Sequence, residues 1–280
     1  MIELGLEGKT ALVTGGSQGI GEAIAMAFAK EDVRVAICSR TEADLVSAAA
    51  KIEEETGRKA ETIVADLSQA GEGDRVVNEA VERLGRLDIL VNNAGSAPGG
   101  MLDELSEEDW QKGLQLKFMG YIRCTTAAIP IMQKQGGGRV VNVVGNDGLK
   151  SAHWELVPSA CNAALLIVMQ ALGERYARDG INVTCLNPGP VATERMNYLM
   201  GVWAKSKGIP FEQSVRLHEE SIPIGRLCRP DEVANVALFL ASDLASFVNA
   251  AHINVDGGQR KPVVDTLLGY ELGEISPLSE

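Results

Sequence analysis

Short apolar runs rich in β-branched residues alternate along this chain with longer stretches whose apolar positions recur at helical spacing. Residues 10–14, 34–38, 60–65, 89–92, 140–144, 182–186 and 252–255 read as seven strands. These runs are apolar throughout rather than alternating, the pattern of parallel strands covered on both faces by crossover helices. Ser106 stands three residues before Asp109 as a capping box, and Pro230, Asp231 and Glu232 fill a first helical turn. Gly136, Gly137 and Gly138 close a helix that begins near Ser106, and Gly180 closes one running from about Ser159. Residues 194–228, with Gly201, Gly208, Pro210, Pro223 and Gly225, break the alternation and read as a lid or substrate loop. The expected organisation is one domain over 1–258. An acidic, weakly patterned tail follows over 259–280, either a partner-contacting arm or a frayed end.

Composition narrows the classes. Lys and Arg number 26 against 38 Asp and Glu, a net charge of −12 that argues against a duplex nucleic-acid binder. With 45% apolar and 23% charged residues the chain has the make-up of a folded globular protein. Five cysteines without C-x-x-C spacing and three histidines suggest neither a disulfide framework nor a metal site, and reduced thiols fit a cytoplasmic location. No targeting segment is evident at the N-terminus, and the longest apolar run, 163–169, is far short of the roughly 20 residues of a membrane helix.

Between the first strand and the first helix lies Thr14-Gly15-Gly16-Ser17-Gln18-Gly19-Ile20-Gly21. A glycine turn opening a helix lets backbone N–H groups approach a pyrophosphate, whose charge the helix dipole favours. The same glycines also serve an ordinary tight turn. The spacing T-G-x-x-x-G-x-G resembles the short-chain dehydrogenase/reductase family. So do Asn92-Asn93-Ala94-Gly95, Asn187-Pro188-Gly189-Pro190-Val191-Ala192-Thr193, Ile222-Pro223-Ile224-Gly225-Arg226 and Asn254-Val255-Asp256-Gly257-Gly258.

The resemblance implies a Rossmann-type doubly wound α/β fold and a dinucleotide cofactor. Gly15, Ser17, Gly19, Ile20 and Gly21 would lie at its pyrophosphate, and Asp66 and Leu67 at the adenine. Asn93, Ala94 and Gly95 would lie beneath the adenosine ribose, and Pro188, Gly189, Val191 and Thr193 against the nicotinamide. After the second strand, Ser39 leaves room for a 2′-phosphate and Arg40 can neutralise it, favouring NADP(H) over NAD(H), unless Arg40 is a solvated loop charge. The family also implies a small-molecule substrate or ligand. It further implies a homodimer or homotetramer paired through the helices at 106–135 and 159–178.

Family members place serine, tyrosine and lysine at the reacting oxygen because a phenol donates usefully near neutrality only beside a fixed cation. Here the corresponding positions hold Gly145, Pro158 and Asn162, and the family's asparagine position holds Lys117. A lysine and an asparagine have thus exchanged places: either a cation reaches the same pocket from the opposite helix, or Lys117 serves solvent or an acid. The loop at 146–155 offers His153, Glu155, Asp147 and Lys150 as proton carriers, with His153 preferred for its ordinary pKa near neutrality. Tyr198 is the tyrosine that falls in the expected lid, Cys161 with His153 is a remote nucleophile pair, and Trp154 and Trp203 could wall an apolar substrate. Three functions follow: an oxidoreductase with a substituted proton donor, a dinucleotide-binding protein without redox turnover, or redox-independent chemistry on the same scaffold.

Overall fold

The computed structural model describes residues 3–259, so the 259–280 tail falls outside it except for Gln259. Its strands are β1 (Thr10–Thr14), β2 (Arg34–Ser39), β3 (Glu61–Val64), β4 (Ile89–Asn92), β5 (Gly138–Val143), β6 (Ile181–Pro188) and β7 (His252–Val255). All pair in parallel in the order β3-β2-β1-β4-β5-β6-β7, a Rossmann-type doubly wound sheet as expected. The chain builds outward from β1 to β3 and then returns to β4 on the other side of β1. A crevice therefore opens at the carboxyl ends of β1 and β4, where such sheets bind ligands.

Helices α1 (Gly19–Lys30), α2 (Glu42–Thr56) and α9 (Pro230–Ala241) cover one face, burying Ile24, Phe28, Leu45, Ile52, Val233 and Leu240 against Val13, Ile37 and Val91. Helices α3 (Glu72–Leu84), α5 (Met119–Gln135) and α6 (Leu156–Tyr176) cover the other, with Val76, Val77, Tyr121, Met132, Leu165 and Met169 against Leu12, Cys38 and Leu90. Neighbouring strand residues thus bury on opposite faces, which is why the runs are apolar without alternation.

Three expectations need correction. The helix expected from Ser106 to Gln135 is split into α4 (Glu107–Gly113) and α5 by a wide π turn, Leu114–Phe118, while the Ser106–Asp109 capping box forms as read. The excursion at 194–228 is largely helical: α7 (Glu194–Lys207) and α8 (Phe211–Glu220) pack on each other, and Thr193 Oγ1 caps α7 by accepting from the Met196 amide at 3.2 Å. Finally, the 163–169 run understates its helix. Leu156–Asp179 is long and apolar enough on composition alone to cross a membrane, with mean hydropathy 1.7, yet its Leu165, Leu166 and Met169 are buried in the core beside β6.

Candidate active site

The crevice is a cleft of ≈ 1730 Å3 running from the glycine turn to α7 and α8. At one end the backbone does most of the work. Gly15 has φ +64°, and a Cβ there would lie 2.9 Å from the Ala94 backbone; a Cβ on Gly21 would lie 2.1 Å from the Gly15 carbonyl oxygen. Only glycine allows this turn to sit so close to β4. The Asn93 side-chain amide donates to the Thr14 and Gly15 carbonyls at 3.0 and 3.1 Å, while Thr14 Oγ1 accepts from the Asn93 and Ala94 amides at 2.9 and 3.0 Å. These bonds staple the end of β4 to the glycine turn and leave the start of α1 facing the cleft. Across the cleft, Gly19 (φ +60°) faces the Thr193 side chain.

Most of the expected cofactor residues converge here. Gly15, Ser17, Gly19, Ile20, Ser39, Arg40 and Leu67 line one side of the cleft, with Asn93, Ala94, Gly95, Pro188, Gly189, Val191 and Thr193 also in its walls. Gly21 is packed behind the turn. Asp66 turns its carboxylate onto Ser68, accepting from the amide at 3.0 Å and the hydroxyl at 2.7 Å. Burial pushes that carboxyl upward, but the bonds from Ser68 and Gln69 and the charge of Arg40 outweigh it and hold it below its ordinary value. Ser39 and Arg40 place no acid at the end of β2, so the residues present fit a dinucleotide bearing a 2′-phosphate.

At the other end side chains carry the arrangement. Lys117 leaves the π turn, lies over Gly95 and donates to Tyr121 Oη at 3.1 Å and to the Val143 carbonyl at 3.0 Å. Burial pushes its ammonium down to about 8, opposed by the charge of Asp147 and helped by that of Arg195. Asn162 Nδ2 donates to Asp147 Oδ1 at 2.8 Å, and the buried Asn162 Oδ1 has no hydrogen-bond partner. Gly145 has φ +134°, and a Cβ there would meet Asp147 Oδ1 at 2.6 Å and Asn162 Nδ2 at 2.8 Å. Gly145, Asp147, Pro158, Asn162 and Lys117 all line the cleft.

His153 and Tyr198 are not brought into its lining. Tyr198 is 71% exposed on α7. Tyr121 is the tyrosine that accepts from Lys117. It is fully buried, donates to the Val143 carbonyl at 2.7 Å, and its pKa is raised by burial. Burial also pushes the Cys161 thiol up, which disfavours its thiolate, and His153, its expected partner, lies outside the lining.

The sequence reading passed over Arg195, whose Nη1 donates to the Gly95 carbonyl at 3.3 Å, and His218, whose ring lies edge-on to Trp203 with centroids 5.3 Å apart. It also passed over Gln259, which accepts from Asn146 Nδ2 at 2.8 Å and lines the cleft. Only the position of Arg195 two residues after Thr193 could have signalled any of the three.

A short chain dehydrogenase family model matches residues 9–200. Sorbitol dehydrogenase of Cereibacter sphaeroides is 33% identical over 255 residues, covering 90% of this chain and 98% of its own. A 3-oxoacyl-acyl-carrier-protein reductase of Thermotoga maritima is 32% identical over 253 residues, covering 90% and 98%. Among solved structures, L-sorbose reductase from Gluconobacter frateurii complexed with NADPH and L-sorbose superposes with TM-score 0.88 at 30% identity, covering 92% of this chain and 98% of that one. A point variant of actinorhodin polyketide ketoreductase with NADPH gives 0.86 at 32% identity, covering 89% and 96%.

Proposed function

The chain belongs to the short chain dehydrogenase family, and from that premise we propose that it is an NADP(H)-dependent oxidoreductase acting on a carbonyl or alcohol with a substituted proton relay. The observation that carries the reading is the glycine turn, whose close approaches at Gly15 and Gly21 leave the start of α1 open beside Ser39 and Arg40. The NADPH of the solved relatives supports the choice of coenzyme.

When bound, the dinucleotide would supply a hydride donor or acceptor. Gly15, Ser17, Gly19 and Ile20 would hold its pyrophosphate and Arg40 its 2′-phosphate, with Val191 and Thr193 against the nicotinamide. Lys117 replaces the family's cation from the opposite helix. Its ammonium, depressed to about 8 by burial, donates a hydrogen bond to the reacting oxygen near neutral pH. Oligomers pairing through α5 and α6 are part of the same reading, supported by the 68% exposed Ile167 on α6.

Fluorescence titration with NADPH and NADH tests the coenzyme, and absorbance at the nicotinamide band against a panel of ketones and alcohols tests the reaction. Tighter binding of NADPH with turnover on part of the panel is expected; failure to bind either coenzyme defeats the reading. Tight binding with silence across a wide panel favours the second reading, a dinucleotide-binding protein without redox turnover, which Gly145 and Pro158 motivate because neither side chain carries a transferable proton. Lys117→Met lowers turnover by roughly 10² to 10⁴ if Lys117 acts on the oxygen. Unchanged rate and coenzyme affinity in that variant would return Lys117 to a packing role.

A further inference from the structure

Asp147 is fixed in the cleft more firmly than a surface loop requires. It lies on a single 3-10 turn, Asn146–Gly148, between two glycines that have no room for a side chain. A Cβ on Gly145 would strike the Asp147 carboxylate and the Asn162 amide, and one on Gly148 would lie 2.9 Å from the Asn162 backbone carbon. On the inner side Asn162 Nδ2 holds Oδ1. On the outer side Asn146 donates to Gln259, and Lys150 pairs with the buried Asp256 and donates to the Gln259 carbonyl at 2.7 Å. A loop pinned from both flanks holds one carboxylate at a set place, as preorganised catalytic groups must be.

The carboxylate and Lys117 both line the cleft. Lys117 feels the charge of Asp147, yet no ion pair within 4.0 Å joins them among the described residues. Had they been meant only to neutralise one another, a direct pair would serve. A substrate oxygen held between the two would accept from Lys117 and donate to Asp147.

We propose that Asp147 is the catalytic carboxylate of this cleft, exchanging the proton of the substrate's reacting hydroxyl, with Asn162 as its positioning residue. The assignment rests on the oxidoreductase reading above. In the oxidising direction the O–H bond of a secondary alcohol breaks and its proton joins Asp147 as the carboxylic acid. The C–H electron pair leaves as hydride to an oxidised nicotinamide dinucleotide, and the carbon–oxygen bond becomes a carbonyl. Reduction runs the same transfers backwards. A hydroxyl proton thus has an acceptor although Gly145 and Pro158 offer none.

The test uses 2,2,2-trifluoroethanol, a hydroxyl probe that resists oxidation, followed by fluorine NMR on the whole protein with and without NADP+. Asp147→Asn keeps shape and loses charge. It is expected to weaken the probe by roughly tenfold, the worth of one hydrogen bond to a charged group, while NADP+ affinity stays within about twofold. Asn162→Ala is expected to weaken the probe less, with Asp147 less firmly held. Equal probe affinity in wild type and Asp147→Asn, or no binding to wild type, overturns the assignment. Loss of both coenzymes alongside an intact probe difference defeats the hydride reading and leaves Asp147 as a hydroxyl acceptor. Where a turned-over alcohol is found, Asp147→Asn should lower its rate by roughly 10² to 10⁴; an unchanged rate counts against the proposal.

Discussion

The two ends of the cleft are built from different materials. At the glycine turn, positions are set by backbone: Gly15 and Gly21 touch neighbouring main chain, and Asn93 and Thr14 bind peptide groups. At the α6 end, positions are set by side chains that answer one another, since Asp147 excludes a Cβ at Gly145, Asn162 holds Asp147, and Lys117 is steadied by Tyr121 and the Val143 carbonyl. The backbone end tolerates little change at any residue. The side-chain end can change if several residues change together, because each contact depends on the identity of its partner.

Gly21→Val should break the first end outright. With a Cβ 2.1 Å from the Gly15 carbonyl, the turn must move, so NADPH titration should find binding lost and urea unfolding a destabilisation of roughly 1–3 kcal/mol or more. Gly145→Ser sharpens the contrast at the other end. A serine there alone should not raise turnover, because it strikes Asp147 and Asn162 at a positive φ; a cost of roughly 1–3 kcal/mol is expected in the same unfolding assay. A gain in rate from that single change would show the residues to be independent. Smaller is Arg40→Ala, which should weaken NADPH by about tenfold while sparing NADH, the loss of one charge-assisted contact. Equal losses for both coenzymes would place Arg40 away from any 2′-phosphate.

A separate effect concerns pH. Burial lowers the Lys117 ammonium from 10.5 to about 8 in the folded chain, so between those values the unfolded chain binds more protons and this group makes stability rise with pH. Below about 8 the buried charge is a cost in full. Lys117→Met should therefore be relatively more stable than wild type at pH 7, and that advantage should shrink from pH 8 to 10.5 in parallel denaturation curves. A pH-independent difference would mean that Lys117 titrates normally.

Much of the fold was legible because strands such as 10–14 and 89–92 are apolar on both faces and because Ser106 and Gly180 punctuate helices through local chemistry. Boundaries slipped where tertiary pairing decided them. β6 runs on to Pro188 because Val255 pairs beside it, and β5 starts at Gly138 opposite Ile181. The glycine turn was readable for a related reason, since glycine at a close approach leaves its mark in a single position. Asp147 was legible only as one of four proton carriers in a loop, behind His153. Its standing depends on Asn162, fifteen residues on, and on Gln259, which no local pattern links to it. Arg195 and His218 were hidden because α7 and α8 were read as loop, and a loop gives no inward face on which to place a side chain.

The π turn at Leu114–Phe118 has a consequence of its own. Such a turn spreads one more residue over its length than an α-helix would, so Lys117 owes its bearing to a surplus residue rather than to its neighbours' chemistry. Deleting Leu114 would let the segment rewind as regular helix, with α4 and α5 keeping roughly their present faces while the wide turn that carries Lys117 is lost. Length, as much as letter, is what this stretch of sequence encodes.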